Sequence, residues 1–226
     1  MITSVNNPIV KSVTKLHQKK FRDQSESFLV IGTHEINEAL NVSESLQLFS
    51  LDATYTQVSP HVMKKMADGL TPDVLGVFKK FQPRKIGKKV LVFENLQDPG
   101  NAGLLMRSAV GFGFTDIITI GGIDLYHPKV IRSSEGYFFH LNISVLSFED
   151  ALQELHNHHH ILTTLGGPDH VVPKKPFALW LGNEGNGLSK EALALEGTHW
   201  SIQTEKVESL NVAVAGSIIM HALKDA

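Results

Sequence analysis

Five polar residues in three separated segments have the types and spacing expected of a ligand-binding or catalytic site. They are Asn101, Arg107, Glu184, Ser209 and Asn211. Amide and hydroxyl groups can orient a ligand, a carboxylate accepts hydrogen bonds, and a guanidinium can hold a phosphate. The chain has no cysteine, which excludes thiol nucleophiles and thiolate metal sites.

The first segment, 94–114, predicts a helix that begins after a turn of sequence Asp-Pro-Gly. The start of a helix presents unpaired N–H groups that suit an anionic group such as phosphate. Asn101 lies at this end, and the side chain of Arg107 can lean back toward it, because helical side chains point toward the N-terminus. Alternatively, Asn101 only caps the helix and Arg107 is a surface charge.

The other two segments, 177–193 and 201–217, each place polar residues directly after an apolar strand. In the first of them, glycines let the backbone approach a ligand, and Glu184 can accept hydrogen bonds from a ligand or from the amides of its own loop. In the second, Ser209 and Asn211 open the last helix, which Asn211 could simply cap. Ligands of α/β sheets bind at the carboxyl ends of strands, so we expect the three segments to form one site.

The second half of the chain predicts an α/β fold with a mainly parallel sheet. Short apolar runs alternate with helical segments, as is typical of strands buried on both faces. The expected strands are VLVFEN, DIITIGG, ISVLSF, HHILTTL, FALWLG and HWSIQT. The last helix, 210–224, is apolar almost all the way round, so we expect it to be buried against the sheet or a second subunit.

The first half predicts a small mixed α/β module with a basic helical stretch near 7–21 and strands at 28–32 and 75–81. The polar, basic run QPRKIGKK separates this module from the second half. The predicted organisation is therefore a first domain over 1–81, a linker over 82–89 and a second domain over 90–226.

Charge is distributed unevenly along the chain. Residues 1–89 contain 13 Lys and Arg against 8 Asp and Glu, a net charge of +5, whereas residues 90–226 contain 8 against 15, a net charge of −7. A basic half attracts polyanions, although the same residues could form an ordinary solvated surface. The basic residues of the first helical stretch are Lys11, Lys15, Lys19, Lys20 and Arg22.

Several other kinds of site are excluded because the chain lacks their sequence motifs. Neither GFGFTD (111–116) nor GNEGNG (182–187) has the glycines of a dinucleotide fingerprint in the required place, and the P-loop, GxSxG and HExxH motifs are absent. A histidine cluster could bind zinc or nickel, but no carboxylate is placed to complete the shell, so we predict no metal site. The cluster comprises His156, His158, His159 and His160.

Asn101 with Arg107, LGNEGNG with Glu184, and SLNVAVA together resemble the three signature motifs of the SpoU/TrmH-type RNA 2′-O-ribose methyltransferases, in the SPOUT class. The motifs occur in the family's order. The N-terminal half also resembles that family's ribosomal-protein-like substrate-binding domain, through NPIVKSVTKLHQKKFR, FLVIG, HEINEAL and TPDVLGVF.

The resemblance implies an enzyme that uses S-adenosylmethionine to methylate a ribose 2′-hydroxyl of tRNA or rRNA. It implies a catalytic domain with a deep trefoil knot, a homodimer whose interface the last helix would suit, and an N-terminal domain that docks RNA through the five basic residues above. It also implies that backbone groups hold the adenosine of the cofactor near Leu165, Gly182, Ile202 and Leu210.

By the same resemblance, Arg107 is the catalytic arginine, acting either as a general base or as a clamp on the RNA phosphate. Arginine resists deprotonation, which favours the clamp. The remaining four residues of the site would fix the ribose, the glycine-rich loop and the methionine end of the cofactor.

The chain departs from the family pattern in a few places. Ile31 stands where the family often has glutamate, and Gln203 and Thr204 replace a Pro-Met pair. Small residues and a proline expected in the family are replaced by Glu135, Tyr137 and Asn142.

Two alternatives to ribose methylation remain at this point: a SPOUT-like RNA-binding protein without turnover, and an enzyme that methylates a base. The N-terminus lacks the apolar core of a secretion signal, and no segment has the roughly twenty apolar residues of a membrane span. We therefore expect a cytoplasmic protein without a membrane partner.

Overall fold

The computed structural model describes residues 1–167, 173 and 176–226. The chain forms two compact units. One comprises Met1–Phe81 with Asp124–Phe139, and the other comprises Gln82–Ile123 with His140–Ala226. The division predicted from the sequence also ends its first domain at residue 81, but it assigns 124–139 to the second domain.

In chain order, residues 1–81 form α1 (Pro8–Lys15), α2 (Lys19–Ser25), β1 (Ser27–Ile31), α3 (Thr33–Val42), β2 (Ser45–Ser50), β3 (Thr56–Gln57), α4 (Pro60–Met66) and β4 (Val74–Lys79). The strands lie in one sheet in the order β1-β4-β2-β3. Strand β4 pairs antiparallel with both β1 and β2, and β3 pairs parallel with β2. The basic stretch predicted as one helix forms two, because α1 ends at Lys15 and the amide of Leu16 bonds back to the last turn.

The rest of the chain forms β5 (Lys89–Glu94), α5 (Pro99–Gly111), β6 (Asp116–Ile120), α6 (Pro128–Ser133), a 3₁₀ turn (Tyr137–His140), β7 (Asn142–Leu146), α7 (Phe148–Glu154), β8 (His159–Thr163), β9 (Phe177–Leu181), α8 (Lys190–Leu193), β10 (Gly197–Trp200) and α9 (Val212–Ala222). Six strands form one sheet in the order β10-β8-β9-β5-β6-β7. Each of its pairings is parallel, which confirms the predicted parallel α/β fold.

The predicted strand HWSIQT is shorter than expected. Strand β10 ends at Trp200, opposite Thr163, which is the last residue of its partner β8. The central strand β9 is buried at every position, which accounts for its continuous apolar run.

Helix α9 packs closely on α5 and β9. A Cβ added to Gly216 would lie 2.6 Å from the side chain of Leu105 and 2.7 Å from that of Leu181, so glycine permits this approach. The sequence predicts that this helix is buried. The face that packs on α5 and β9 is buried, whereas the outer face is partly exposed, with Val214 and Ile218 at 44% and 46% exposure.

The segment 124–139 joins the first unit through aromatic packing and an ion pair. The Phe28 ring lies 5.0 Å from that of Tyr126 and 5.8 Å from that of Phe138. Burial in this cluster raises the pKa of Tyr126 to about 12. Arg22 donates to Asp124 Oδ2 through Nε and Nη2, at 2.9 and 2.6 Å. These contacts are why the structure groups 124–139 with the first unit.

The prediction that Arg22 contacts RNA is wrong. Its side chain is only 1% exposed, and its third nitrogen, Nη1, donates to the carbonyl oxygen of Leu16 at 2.7 Å. The guanidinium is therefore committed to bonds inside the unit. A buried arginine of this kind supports the fold, and removing its partner Asp124 would leave a costly uncompensated charge.

Within the described residues, helices are all too short or too polar to cross a lipid bilayer.

Candidate functional site

A cavity of about 610 Å³ lies where β8, β9 and β10 end, and α9 closes one side of it. Its walls come mainly from the loops that follow the three strands. The four residues that the resemblance assigned to the cofactor, Leu165, Gly182, Ile202 and Leu210, all line this cavity. Glu184 and Ser209 line it as well. The cavity therefore gathers residues from all three loops at one edge of the sheet.

The loop after β9 folds back on itself at the cavity wall. Asn183 and Gly187 exchange two backbone hydrogen bonds of 2.9 Å. The side chain of Asn183 accepts from the amides of Gly185 and Asn186 at 3.0 Å each and donates to the carbonyl of Asn95 at 3.1 Å. Asn183, which the sequence motifs do not mark as a site residue, thus organises the loop and joins it to the end of β5.

Alanine at position 182 is expected to abolish cofactor binding. A Cβ on Gly182 would overlap the backbone of Gly187 and Leu188, so the loop could not close against the strand. Gly185 is the matched control, because a Cβ there would meet only Asn183 Oδ1, at an ordinary 3.6 Å. Isothermal titration with S-adenosylmethionine should show no binding by Gly182→Ala and near-normal binding by Gly185→Ala. Normal binding by Gly182→Ala would contradict this account of the loop.

Glu184 reaches from this loop to the beginning of α5. Its Oε1 accepts from the amide of Asp98 at 2.9 Å and from Asn101 Nδ2 at 3.1 Å, and its Oε2 accepts from the amide of Gln97 at 3.1 Å. The sequence left two alternatives for the hydrogen-bond donors to Glu184: a ligand or the amides of its own loop. In the structure, the amide donors belong instead to the loop that follows β5.

Asn101 also contacts the third segment. Asn211 Nδ2 donates to Asn101 Oδ1 at 3.0 Å, while Asn211 Oδ1 caps α9 by accepting from the amides of Ala213 and Val214. Asn211 is therefore an N-cap, as one reading of the sequence had it, and also a donor to Asn101. We call Asn101, Glu184 and Asn211 the amide–carboxylate network.

The sequence also allowed Asn101 to be the N-cap of its helix, and this alternative is wrong. Asp98 is the N-cap of α5, and its side chain accepts from the amide of Asn101 at 2.8 Å. Asn101 occupies the first turn instead, because the helix begins earlier, at Pro99. This leaves its side chain available to bridge two other segments.

The environment of Glu184 favours its ionised form. Partial burial raises the pKa of the carboxyl group, but the hydrogen bonds from Asp98, Asn101 and Gln97 outweigh burial, so the pKa lies below its ordinary value of 4.5. A carboxylate with a lowered pKa is a poor general base at neutral pH. The arrangement suits it to holding loops together by hydrogen bonds.

Two variants of Asn211 should separate its two roles. Alanine removes both the cap and the donor, so we expect the free energy of unfolding to fall by about 1 kcal/mol. Aspartate retains the cap but not the Nδ2 donor, so Asn211→Asp should keep near-normal stability and still lose methyl-transfer activity. Urea unfolding and methyl-transfer assays measure the two effects. Full activity in Asn211→Asp would show that the bond to Asn101 has no part in the reaction.

The two remaining predicted residues lie in the same chain segments as Asn101 and Asn211. Arg107 is exposed on α5, the helix whose first turn carries Asn101, and Ser209 is exposed at the cavity. Three of the five predicted side chains are thus joined by hydrogen bonds, a fourth lines the cavity, and the fifth lies further along the same helix.

The histidine cluster makes separate contacts. His158 Nε2 lies 2.8 Å from the carbonyl oxygen of Gly87, His159 Nε2 lies 2.8 Å from Thr198 Oγ1, and Trp180 Nε1 donates to His160 Nδ1 at 3.0 Å. In the part of the chain that the structure describes, no three His, Asp or Glu side chains are grouped to hold a metal ion.

Comparison with known proteins identifies the family. Residues 88–221 match the SpoU rRNA Methylase family, and residues 7–55 match the MRM3-like substrate binding domain. The 23S rRNA (guanosine(2553)-2′-O)-methyltransferase RlmP of Bacillus subtilis is 30% identical, over 99% of this chain and 98% of that protein. A Synechocystis protein named as an uncharacterized tRNA/rRNA methyltransferase is 32% identical, over 97% of this chain and 92% of that protein.

The fold is similar to that of solved RNA methyltransferases. An AdoMet-bound rRNA methyltransferase from Sinorhizobium meliloti superposes with a TM-score of 0.88 at 27% identity, covering 98% of this chain and 95% of that one. An RNA 2′-O ribose methyltransferase superposes with a TM-score of 0.80 at 28% identity, covering 98% and 96%. Sequence motifs, site geometry and fold agree, and the chain belongs to the SpoU rRNA methylase family.

Proposed function

We propose that this chain methylates the 2′-hydroxyl of one ribose in ribosomal RNA, working as a homodimer in the cytoplasm. As a member of its family it is an RNA 2′-O-ribose methyltransferase that uses S-adenosylmethionine. The choice of rRNA over tRNA is supported by the Bacillus subtilis relative, which is named as a 23S rRNA methyltransferase. The observation that carries the proposal is the amide–carboxylate network beside the cavity, which joins all three motif segments.

The cavity fits the cofactor in size and character. Ligand cavities of about 300–1,000 Å³ hold nucleoside-sized molecules, and this one has about 610 Å³. Leu165, Ile202 and Leu210 supply apolar wall, and the glycines of the loop after β9 bring backbone donors and acceptors to the surface. When bound, S-adenosylmethionine supplies a methyl group already activated by its sulfonium sulfur.

The protein's own residues then align and hold the hydroxyl. Glu184 fixes the loop after β9 against the start of α5, and Asn211 fixes the start of α9 to the same place. These bonds set the position of the cavity wall relative to Arg107. We assign to Arg107 the clamping of the phosphate next to the target ribose and the polarisation of its hydroxyl.

The N-terminal unit supplies an RNA-docking surface. Lys11 and Lys15 are exposed on α1, and Lys19 and Lys20 are exposed on α2. Lys19 also pairs with the exposed Asp23 at 2.8 Å, which leaves it in solvent. Such lysines bind phosphates through charge and shape rather than base sequence, as RNA docking requires.

The homodimer is supported by the open face of α9. Val214 and Ile218 are nearly half exposed, and Leu104 on the adjoining α5 is 45% exposed. The side-chain oxygens of Ser108 and Ser217 lie 2.7 Å apart, which joins the two helices. Apolar side chains on two packed helices form a surface suited to a second copy of the chain.

The trefoil knot is supported by the order of strands. After β10, at the edge of the sheet, the chain returns past β8 and β9 to pack α9 on α5. The loops after β8 and β9 line the same cavity as the returning residues. Threading of 201–212 between these loops would produce the knot, which folds otherwise rarely contain.

The function is tested by transferring tritiated methyl groups from S-adenosylmethionine to total RNA of cells that lack this protein. We expect label in ribosomal RNA, and nuclease digestion should yield a 2′-O-methylated nucleoside. Label in a base, in tRNA alone, or in no RNA would contradict the proposal. The alternative of an RNA-binding protein without turnover is not supported, since both relatives aligned over nearly their full length are named methyltransferases.

A further inference from the structure

Glu94 is a buried carboxyl group that the reaction above does not use. It is the last residue of β5 and is only 3% exposed. Its Oε2 accepts from the amide of Ser189 at 2.8 Å and its Oε1 accepts from the hydroxyl of Ser189 at 2.6 Å. Burying a carboxyl group is costly unless its oxygens are bonded, so these two bonds hold Ser189 firmly.

Ser189 marks the point where the loop after β9 ends. Its hydroxyl oxygen caps α8 by accepting from the amide of Ala192 at 3.1 Å. The preceding residues, Gly182 to Leu188, form one wall of the cavity. Glu94 therefore fixes the far end of the wall, while Gly182 fixes the near end where the loop leaves the strand.

The same loop sends a carboxylate back in the opposite direction. Glu184 binds the amides of Gln97 and Asp98, which follow Glu94 by only a few residues. Asn183 adds a bond to the carbonyl of Asn95. Two glutamates thus cross-link this part of the chain to the loop after β9. Glu94, at the end of β5, binds Ser189, and Glu184, in the loop after β9, binds the loop after β5.

We infer that Glu94 is a positioning residue for methyl transfer. It holds the loop 182–189 in the conformation that binds the cofactor and that directs Glu184 toward Asn101. It acts through Ser189, and among the described residues it is not part of the cavity lining. The inference rests on the proposed function, because the cofactor is what the loop is positioned to bind.

The test compares Glu94→Gln with a matched control, Asp116→Asn. Glutamine has nearly the same shape, but its NH₂ group faces one of the two Ser189 donors. Asp116 is an equally buried carboxyl group, 3% exposed, that accepts from Asn142 Nδ2 and Thr115 Oγ1 at 2.7 Å. It is the first residue of β6, so it lies at the amino end of its strand, whereas Glu94 lies at the carboxyl end of the neighbouring parallel strand β5.

We expect the dissociation constant of S-adenosylmethionine to rise about tenfold in Glu94→Gln, because one of the two donors of Ser189 would lose its acceptor and the loop would be held less firmly. In Asp116→Asn it should stay within twofold, at a temperature where thermal unfolding shows both variants folded. Steady-state kinetics should show a raised KM for the cofactor and an unchanged KM for RNA in Glu94→Gln. A merely structural role would instead affect both variants and both KM values alike.

Hydrogen exchange supplies a readout that needs no cofactor. Amides of 182–189 should exchange faster in Glu94→Gln and at the wild-type rate in Asp116→Asn. Unchanged exchange together with unchanged cofactor affinity in Glu94→Gln would overturn the inference. If the wild-type protein failed to bind the cofactor, the proposed function would fail, while the exchange rates would still decide whether Glu94 holds the loop.

Discussion

Replacing Arg107 by alanine is expected to lower kcat for methyl transfer by about 10²–10⁴-fold, the range for a group that stabilises charge or moves a proton in the transition state. Arg107 is exposed on α5 and, within the described chain, does not line the cofactor cavity. Cofactor affinity in Arg107→Ala should therefore remain near the wild-type value. Methyl-transfer kinetics and isothermal titration with S-adenosylmethionine measure the two quantities.

Arg132→Ala is the matched control, since Arg132 is an exposed arginine on α6, outside the cavity. The Arg132→Ala variant should retain most of the activity.

The variant Arg107→Lys distinguishes the two roles considered for Arg107, a phosphate clamp and a general base. Lysine keeps the charge but not the paired donors, so a clamp should work partially. A general base at this position would instead gain activity as the pH approaches lysine's pKa of about 10.4. Full activity in Arg107→Ala would remove Arg107 from the mechanism.

Replacing Glu184 by glutamine is expected to lower kcat/KM by about 10–100-fold, because hydrogen bonds to a charged acceptor are worth about 1.5–3 kcal/mol. Glutamine places an NH₂ group where the carboxylate accepts from the amides of Asp98 and Gln97 and from Asn101. The loop after β9 would lose its hold on α5. Kinetics and cofactor titration should both be impaired, unlike in Arg107→Ala.

Glu191→Gln is the control for Glu184→Gln, because Glu191 is an exposed glutamate in the first turn of α8. The Glu191→Gln variant should behave as wild type.

The pH dependence of stability gives a second check on the role of Glu184. The pKa of Glu184 is lowered, so its stabilising bonds are fully present above its ordinary value of 4.5 and are lost as the pH falls through the lower folded value. The stability difference between wild type and Glu184→Gln should shrink in that acidic range. A difference independent of pH would show that the charge of Glu184 contributes nothing.

The sequence predicted the sheet well because its signal is local. Runs such as FALWLG and DIITIGG are rich in apolar residues, as is typical of strands covered on both faces. The meeting of the three motif segments followed from a general rule about strand ends. Which side chain bonds to which did not follow, because the bond between Asn101 and Asn211 depends on how two helices pack, and packing leaves no short-range pattern.

The errors have physical causes of the same kind. Arg22 lies in a run of exposed lysines and looks like one of them, and its burial depends on Asp124, far along the chain. The segment 124–139 is grouped with the first unit for the same reason. Two of the donors to Glu184 are the backbone amides of Gln97 and Asp98, which residue types could not reveal, because every residue except proline carries such an amide.

The bond between Asn101 and Asn211 joins residues 110 positions apart, and the bonds from Gln97 and Asn101 to Glu184 span 87 and 83. Closing such long loops costs chain entropy before any of these bonds can form, and parallel sheets assemble slowly for the same reason. During refolding, the helices should therefore recover first, the parallel sheet later and catalytic competence last. Enzymatic activity then reports on completion of the whole tertiary structure rather than on any part of it.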